Sequence, residues 1–210
     1  MVFKNRIEAA HLLADKLEAY IDKNAIILAI PRGGVPMGYI IAKQLHLPLE
    51  VVLSKKIGHP LHKEFAIGAV TLKSQILSDV ATEVSKSYIE EETKKIRTLL
   101  TKRYQDYYGK KPPLELKDKI LIIVDDGIAT GNTIISTIEM LHKEHPEKIV
   151  LAIPVSSQSA LQKLKNMPFI DEVICLSAPA NFRAVGQFYE NFDQVDDAEV
   201  KNLLNKVTVN

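Results

Sequence analysis

The sequence has little of what several classes of protein need. Among 210 residues there is one cysteine, Cys175, and no tryptophan, and the formal net charge is +1. A single cysteine excludes an internal disulfide and a cysteine-based metal cluster. Because Cys175 lies in an apolar run, we expect it to be a core residue rather than a nucleophile. The small net charge provides no strong field for nucleic acid or for an anionic membrane surface.

Long apolar segments are also absent from the sequence. No run approaches the roughly 20 residues that a helix needs to span a bilayer. Charges are spread through residues 1–20, which is unlike a signal peptide. We therefore expect a cytoplasmic protein that has neither a membrane nor a nucleic-acid partner. The length suits one α/β domain with a substantial core, and we expect residues 1–210 to form a single domain.

Short apolar runs alternate along the chain with segments that have helical spacing. This alternation predicts an α/β fold with a doubly wound parallel sheet. The apolar runs predict strands at 25–30, 49–53, 120–124, 148–154 and 171–177. The amphipathic segments predict helices at 5–20, 35–45, 134–142, 157–165 and 82–107. The length of the last helix leaves room for a homodimer contact.

One stretch combines a strand, an acidic pair and a polar loop. The apolar run 120–124 is followed at once by Asp125 and Asp126, and then by a loop rich in small and hydroxyl residues, 127–133. In open α/β sheets, ligands bind at the carboxyl ends of strands. Backbone N–H groups of such a loop and of the next helix attract a phosphate. Two adjacent carboxylates suit vicinal hydroxyls, and a ribose 5-phosphate carries both kinds of group.

The same loop lacks the marks of the common nucleotide loops, since it has no lysine and no G-x-G-x-x-G spacing. Val-Asp-Asp-Gly-Ile-Ala-Thr-Gly-Asn-Thr resembles the phosphoribosyl pyrophosphate (PRPP) signature of the type I phosphoribosyltransferases. The resemblance implies that Asp125 and Asp126 hold the ribose hydroxyls and Mg²⁺, the metal directly or through water or those hydroxyls. It also implies a ribose and 5-phosphate site that runs on through Gly127, Ile128, Ala129, Thr130, Gly131, Asn132 and Thr133.

A second strand–loop–helix unit lies earlier in the chain. Its loop contains Arg32, Gly33 and Gly34, and it resembles the loop with which this family holds pyrophosphate. Residues 54–64 contain glycine and proline and predict a loop. The resemblance implies that this loop closes over the reacting centre, and that Lys56 and, after it, Lys55 contact the pyrophosphate. Without the resemblance, the same features are a tight turn with a surface arginine and a solvated cationic loop.

The family covers its acceptor with a variable hood, and the resemblance implies that residues 1–20 and 178–210 form it here. Three aromatic residues of this hood are candidates for stacking on a flat acceptor: Phe182, Phe188 and Tyr189. Packing of these rings against the sheet is the alternative. The 6-oxopurine branch of the family carries an acidic residue just before the Thr-Gly pair. Ala129 occupies that position, which disfavours hypoxanthine or guanine as the acceptor.

The resemblance implies an Mg²⁺-dependent enzyme that transfers a 5-phosphoribosyl group from PRPP to a small, nucleobase-like acceptor. Its catalytic residues would be Asp125, Asp126, Arg32 and Lys56. A non-catalytic PRPP or nucleotide sensor with the same fold is the alternative, although the cations that pyrophosphate chemistry needs are all present. A receiver domain with a phospho-acceptor aspartate is a third interpretation, and it would have no Thr-Gly-Asn-Thr loop.

Overall fold

A five-stranded parallel sheet is the central feature of the structure, a computed structural model that describes residues 1–207. The described chain forms the strands β1 (Ala25–Ala29), β2 (Leu49–Val51), β3 (Ser54–Gly58), β4 (Ala66–Thr71), β5 (Gln75–Leu77), β6 (Ile120–Val124), β7 (Lys148–Val155) and β8 (Glu172–Ser177). The large sheet has the order β2-β1-β6-β7-β8, and all its neighbouring strands are parallel. The predicted parallel sheet is therefore confirmed.

Helices cover both faces of this sheet. They are α1 (Arg6–Lys16), α2 (Gly34–Leu45), α3 (Lys86–Tyr108), α4 (Asn132–His142), α5 (Gln158–Lys165) and α6 (Asp197–Val207). Successive residues of β6 alternate between two apolar cores: Ile122 enters the core that contains α1, α2, α3 and α6 residues, and Ile123 enters the one that contains α4 and α5 residues. This alternation is the reason for the uninterrupted apolar runs, because strands covered on both faces bury every side chain. Within residues 1–207, no helix combines the length and the apolar character that crossing a membrane requires.

The strand order reverses between β1 and β6. From β1 the chain passes through α2 to β2, which lies on one side of β1. Strand β6 pairs with the other side of β1, with Ala29 opposite Val124. The carboxyl ends of these two strands therefore lie next to each other, as do the loops that follow them. Such a reversal creates a crevice at the sheet edge in which α/β proteins bind ligands.

Several predicted elements need correction. The predicted loop 54–64 is wrong in its first half, because Ser54–Gly58 is strand β3, which pairs antiparallel with β4 in a separate three-stranded sheet β3-β4-β5. Burial of Ile57 and cross-strand bonding outweigh the local turn signals there. The predicted strand 49–53 ends at Val51, and the predicted helix 82–107 begins only at Lys86, after a 3₁₀ turn. Helix α6 was not predicted.

The two chain ends that were predicted to form a hood meet in the structure. The Phe3 N–H donates to the Phe188 carbonyl oxygen at 2.8 Å, and the Glu190 N–H donates to the Phe3 carbonyl oxygen at 2.8 Å. These bonds place the start of α1 beside the segment around Tyr189. Further along, α6 packs against α2 and α3. The amino-terminal helix is thus held close to the ends of β1 and β6 by the carboxyl-terminal segment.

A buried carboxylate fastens the edge strand β2 to its surroundings. Glu50 is 6% exposed, and its side chain accepts hydrogen bonds from the Tyr104 hydroxyl, the Leu114 N–H and the Val51 N–H, each at 3.1 Å. No lysine or arginine among residues 1–207 pairs with it. Buried polar groups are stable only when they are hydrogen-bonded. Glu50 therefore connects β2, α3 and the segment that leads to β6.

We predict that Glu50→Ala lowers the free energy of unfolding by about 2–4 kcal/mol, because it leaves a buried hydroxyl and a buried N–H without acceptors. Urea unfolding followed by circular dichroism measures the change. Glu115→Ala is the matched control, since Glu115 is exposed and is expected to have an effect below about 0.5 kcal/mol. Equal losses in the two variants would contradict a structural role for the Glu50 carboxylate.

Candidate active site

The loops after β1 and β6 approach so closely that only glycine fits at two positions. A Cβ on Gly34 would lie 2.5 Å from the Val124 carbonyl oxygen and 3.1 Å from the Asp125 Cα atom. A Cβ on Gly33 would lie 1.9 Å from the Asp126 Oδ2 atom. Neither approach leaves room for a side chain. The structure thus brings the predicted pyrophosphate loop into direct contact with the predicted ribose pair.

The two aspartates each use one carboxyl oxygen within the protein. Asp125 Oδ1 accepts the backbone N–H of Asp126 at 2.9 Å. Asp126 Oδ2 accepts a hydrogen bond from Arg6 Nε at 2.9 Å, and Arg6 Nη2 lies 2.8 Å from the same oxygen in an ion pair. Asp125 Oδ2 and Asp126 Oδ1 accept no hydrogen bond from any other residue among 1–207. Each carboxyl group is therefore oriented by one oxygen and has the other available for a ligand.

Burial makes ionisation of the acidic pair less favourable. Desolvation and the neighbouring Asp126 carboxylate raise the pKa of Asp125 well above its usual value. Desolvation also raises the pKa of Asp126, although the Arg6 guanidinium opposes the change. A bound cation, or hydroxyl groups that donate to the pair, would favour the ionised form. The two available oxygens suit Mg²⁺, which prefers oxygen ligands and binds proteins through one or two carboxylates together with phosphates and water.

The loop beyond the acidic pair presents an uninterrupted run of free backbone donors. Within residues 1–207, none of the N–H groups from Ala129 to Ile134 donates to a protein acceptor. Gly131, at the amino end of α4, adopts a φ of +79°, in the left-handed region that favours glycine. The hydroxyls of Thr130 and Thr133 are exposed and make no hydrogen bond with residues 1–207. Free N–H groups at a helix amino terminus attract anions such as phosphate.

Two of the side chains predicted to bind pyrophosphate pair with carboxylates outside the acidic loop. Arg32, whose side chain is 36% exposed, lies 3.9 Å from the Asp197 carboxylate, and the N–H groups of Arg32 and Gly33 have no acceptor among residues 1–207. Lys56 lies on β3 and donates to the Glu64 carboxylate at 2.7 Å and to the Glu64 carbonyl oxygen at 2.9 Å. Lys55 is exposed on the same strand. The structure does not bring either lysine into an ion pair with the acidic loop.

The aromatic candidates for an acceptor site differ in their placement. Phe188 and Tyr189 are each 6% exposed and pack in the core, so the packing alternative fits both rings. The Tyr189 hydroxyl donates to the Asp126 carbonyl oxygen at 2.7 Å, which ties the carboxyl-terminal segment to the acidic pair. Phe182 is half-buried, with its ring centroid 5.3 Å from that of Phe188.

Arg6 is the site residue that sequence reasoning missed. It lies on the first turn of an amphipathic helix, where a charged residue carries no functional signal, and it is 120 residues away from Asp126. Only the pairing of the two chain ends brings it to the acidic pair. Among residues 1–207, no cluster of three or more histidine, cysteine or acidic side chains could hold a metal by itself. A metal at this site would therefore need ligand oxygens in addition to the two aspartates.

Comparisons of the sequence with known proteins find one family. A sequence model of the "Phosphoribosyl transferase domain" family matches residues 3–190. Two curated proteins from two strains of Mycobacterium tuberculosis, both named "Putative phosphoribosyl transferase", are 34% identical to this chain over 209 residues. The match covers 98% of this chain and 47% of theirs, so the chain spans about half the length of the curated relatives it matches.

Two solved structures resemble the fold. The crystal structure of a protein from Thermus thermophilus is 36% identical, with a TM-score of 0.86, and the match covers 98% of this chain and 99% of that one. A crystal structure of a hypothetical protein from Neisseria gonorrhoeae with bound ppGpp is 14% identical, with a TM-score of 0.52, and the match covers 98% of each chain. At that identity the second likeness shows the fold alone.

The raised pKa of Asp125 predicts that its ionised form costs stability. Since the folded pKa lies above the unfolded one, this cost is absent below about pH 4 and grows as the pH rises through the folded pKa. Asp125→Asn removes the cost but keeps an oxygen for the Asp126 N–H. We expect it to raise the melting temperature at pH 8 by about 3 °C, which corresponds to about 1 kcal/mol in a domain of this size, and to change it little at pH 4. An increase of equal size at both pH values would contradict a cost due to ionisation.

Proposed function

The chain belongs to the phosphoribosyl transferase family, and from this premise we propose that it transfers the 5-phosphoribosyl group of PRPP to an acceptor and releases pyrophosphate. One observation carries the proposal: two carboxyl oxygens without protein donors stand at the start of a loop whose N–H groups, from Ala129 to Ile134, have no protein acceptor. A sugar phosphate with vicinal hydroxyls supplies donors for the first group and acceptors for the second.

The proposed reaction breaks the bond between the anomeric carbon of the ribose and the pyrophosphate oxygen. A lone pair of the acceptor forms the new bond to that carbon, the electrons of the broken bond leave with pyrophosphate, and the acceptor releases its N–H proton to solvent. Positive charge develops on the ribose ring before the new bond is complete, and in this proposal Asp125 and Asp126 stabilise that charge while they hold the hydroxyls. When bound, Mg²⁺ neutralises charge on the pyrophosphate.

Cations stabilise the negative charge on the leaving pyrophosphate, and we place its binding site at the loop that follows β1. The free N–H groups of Arg32 and Gly33 point to this loop as the binding site, in contact with Asp126 through Gly33. The Arg32 guanidinium is only loosely paired, and the Glu64 partner of Lys56 has a side chain that is 98% exposed. Exposed ion pairs contribute about 0–1 kcal/mol, so both cations can exchange their carboxylate for pyrophosphate at little cost. In this proposal, residues 59–65 close over the site as Lys56 turns towards it.

The acceptor, the metal and the assembly are further parts of the proposal. Ala129 offers no acidic group to a purine N7, so we propose a nucleobase-like acceptor other than a 6-oxopurine, with Phe182 as the candidate stacking residue. We propose Mg²⁺ as the cofactor and the cytoplasm as the location, and we propose that the exposed face of α3 forms a homodimer contact. A sensor that binds PRPP without consuming it is the competing function, and the ion pairs of Arg32 and Lys56 with carboxylates would suit it.

We predict that the protein releases pyrophosphate from PRPP in the presence of Mg²⁺ and one member of a panel of purine and pyrimidine bases. Asp125→Asn combined with Asp126→Asn should lower the rate at least a hundredfold, since two ligands of the ribose are lost. An enzyme-coupled pyrophosphate assay measures the rate, and Asp106→Asn, a change on the exposed face of α3, is the control. Tight PRPP binding by calorimetry without pyrophosphate release, in any arm, would support the sensor instead.

A separate prediction concerns the two cations. Arg32→Ala and Lys56→Ala should each lower turnover about a hundredfold, because a preorganised cation that meets the leaving group stabilises its transition state by on the order of 3 kcal/mol. They should lower the affinity for the nucleoside monophosphate product less than threefold, since that product has no pyrophosphate. Lys117→Ala, before β6 at the opposite end of the sheet, is the control. Equal losses in turnover and product binding would mean that these side chains shape the site without acting on the leaving group.

A further inference from the structure

Arg6 is held in a fixed position by contacts on three sides. Its Nε atom donates to Asp126 Oδ2 and its Nη2 atom lies 2.8 Å from the same oxygen. Its Nη1 atom donates to the Asp193 carbonyl oxygen at 2.8 Å, and its guanidinium lies 3.9 Å from the ring centroid of Phe192. The Arg6 side chain is 12% exposed and that of Asp126 is 15% exposed. A planar guanidinium fixed in this way presents a rigid pair of donors.

The geometry of this ion pair is unusual in one respect that matters for a ligand. Arginine commonly binds a carboxylate with one N–H group on each oxygen. Here Nε and Nη2 both lie within 2.9 Å of Oδ2, and Asp126 Oδ1 accepts no hydrogen bond from another residue among 1–207. The Tyr189 hydroxyl holds the Asp126 carbonyl oxygen, and the Gly33 backbone closes another side of the carboxylate. These contacts restrict rotation of the carboxylate and leave Oδ1 as its oxygen without a protein donor among residues 1–207.

Arg6 also supplies the positive charge next to the pair. Within residues 1–207, it is the one cationic side chain that hydrogen-bonds to either aspartate. PRPP would bring several further negative charges to a site that already has two carboxylates. A buried cation that offsets one of these charges without occupying the open oxygens makes the approach of such a ligand less unfavourable.

We propose that Arg6 is a positioning residue for sugar recognition: by binding Asp126 Oδ2 it directs Oδ1 towards a ribose hydroxyl, and it links this recognition to the joined chain ends through Phe192 and Asp193. The inference rests on the proposed function, since it takes a ribose 5-phosphate moiety as the ligand. It assigns to Arg6 the discrimination between a sugar that carries both vicinal hydroxyls and one that lacks either of them.

The test compares three probes by calorimetry: ribose 5-phosphate, 2-deoxyribose 5-phosphate and 3-deoxyribose 5-phosphate, each with Mg²⁺. We expect the wild-type protein to bind ribose 5-phosphate at least about tenfold more tightly than each deoxy sugar, because a hydrogen bond to a charged group is lost. In Arg6→Gln, the ratio against at least one deoxy sugar should fall below about threefold, while the affinity for that deoxy sugar changes less than about threefold. Lys4→Gln is the control. It removes the positive charge of an exposed side chain two residues before Arg6 and should leave all ratios unchanged.

The outcomes separate this inference from the proposed function. A wild-type protein that binds all three sugars equally would overturn the ribose site itself, and with it the role of Arg6. A wild-type protein that discriminates, together with an Arg6→Gln variant that discriminates equally well or loses affinity for all three sugars alike, would overturn the role of Arg6 alone. Tighter binding of ribose 5-phosphate by Arg6→Gln would show that Arg6 blocks the site. If Arg6→Gln does not fold, the ratio of the affinities for ribose 5-phosphate and the deoxy sugars is measured in Arg6→Lys. We expect this ratio to fall about threefold or more, and an unchanged ratio would contradict the inference.

Discussion

The parallel pairing of β1 with β6 is the constraint on which the site depends. Because Ala29 lies opposite Val124, the loops that follow these strands run side by side and must share a small volume. Glycine at 33 and 34 is the consequence, since any side chain there would collide with Asp126 or with the β6 backbone. The same closeness places a loop with free N–H groups on each side of a buried acidic pair. A ligand that reaches from one loop to the other must pass directly over the two aspartates.

Burial of the ionised acidic pair costs stability. A fold that needed only to be stable would not bury two adjacent carboxylates with raised pKa values beside a single arginine. Strain of this electrostatic kind collects at functional sites, where a ligand relieves it. Arg6 relieves part of it in the free protein and leaves the other carboxyl oxygens open. The fold alone would allow many activities, and family membership together with this donor and acceptor arrangement favours phosphoribosyl transfer.

Local sequence predicted much of this architecture and could not predict the rest. The strand before Asp125, the loop after it and the alternation of strands with helices all follow from residues close together in the chain. Arg6 could not be found in that way, because its partner is 120 residues distant and its own helix has an ordinary amphipathic pattern. Strand β3 was hidden by Gly58 at its end and by Pro60 just after it, and its partner strand supplies the pairing that turn signals do not reveal. The burial of Phe188 and Tyr189 likewise depends on Phe3, at the other end of the chain.

A crystal structure with bound ribose 5-phosphate and Mg²⁺ tests the central claim most directly. The account predicts phosphate oxygens within about 3 Å of N–H groups between Ala129 and Ile134. It also predicts the two ribose hydroxyls on Asp125 Oδ2 and Asp126 Oδ1, with Arg6 still on Asp126 Oδ2. A sugar phosphate bound elsewhere on the molecule, or one that binds here with its hydroxyls turned away from both aspartates, would contradict it.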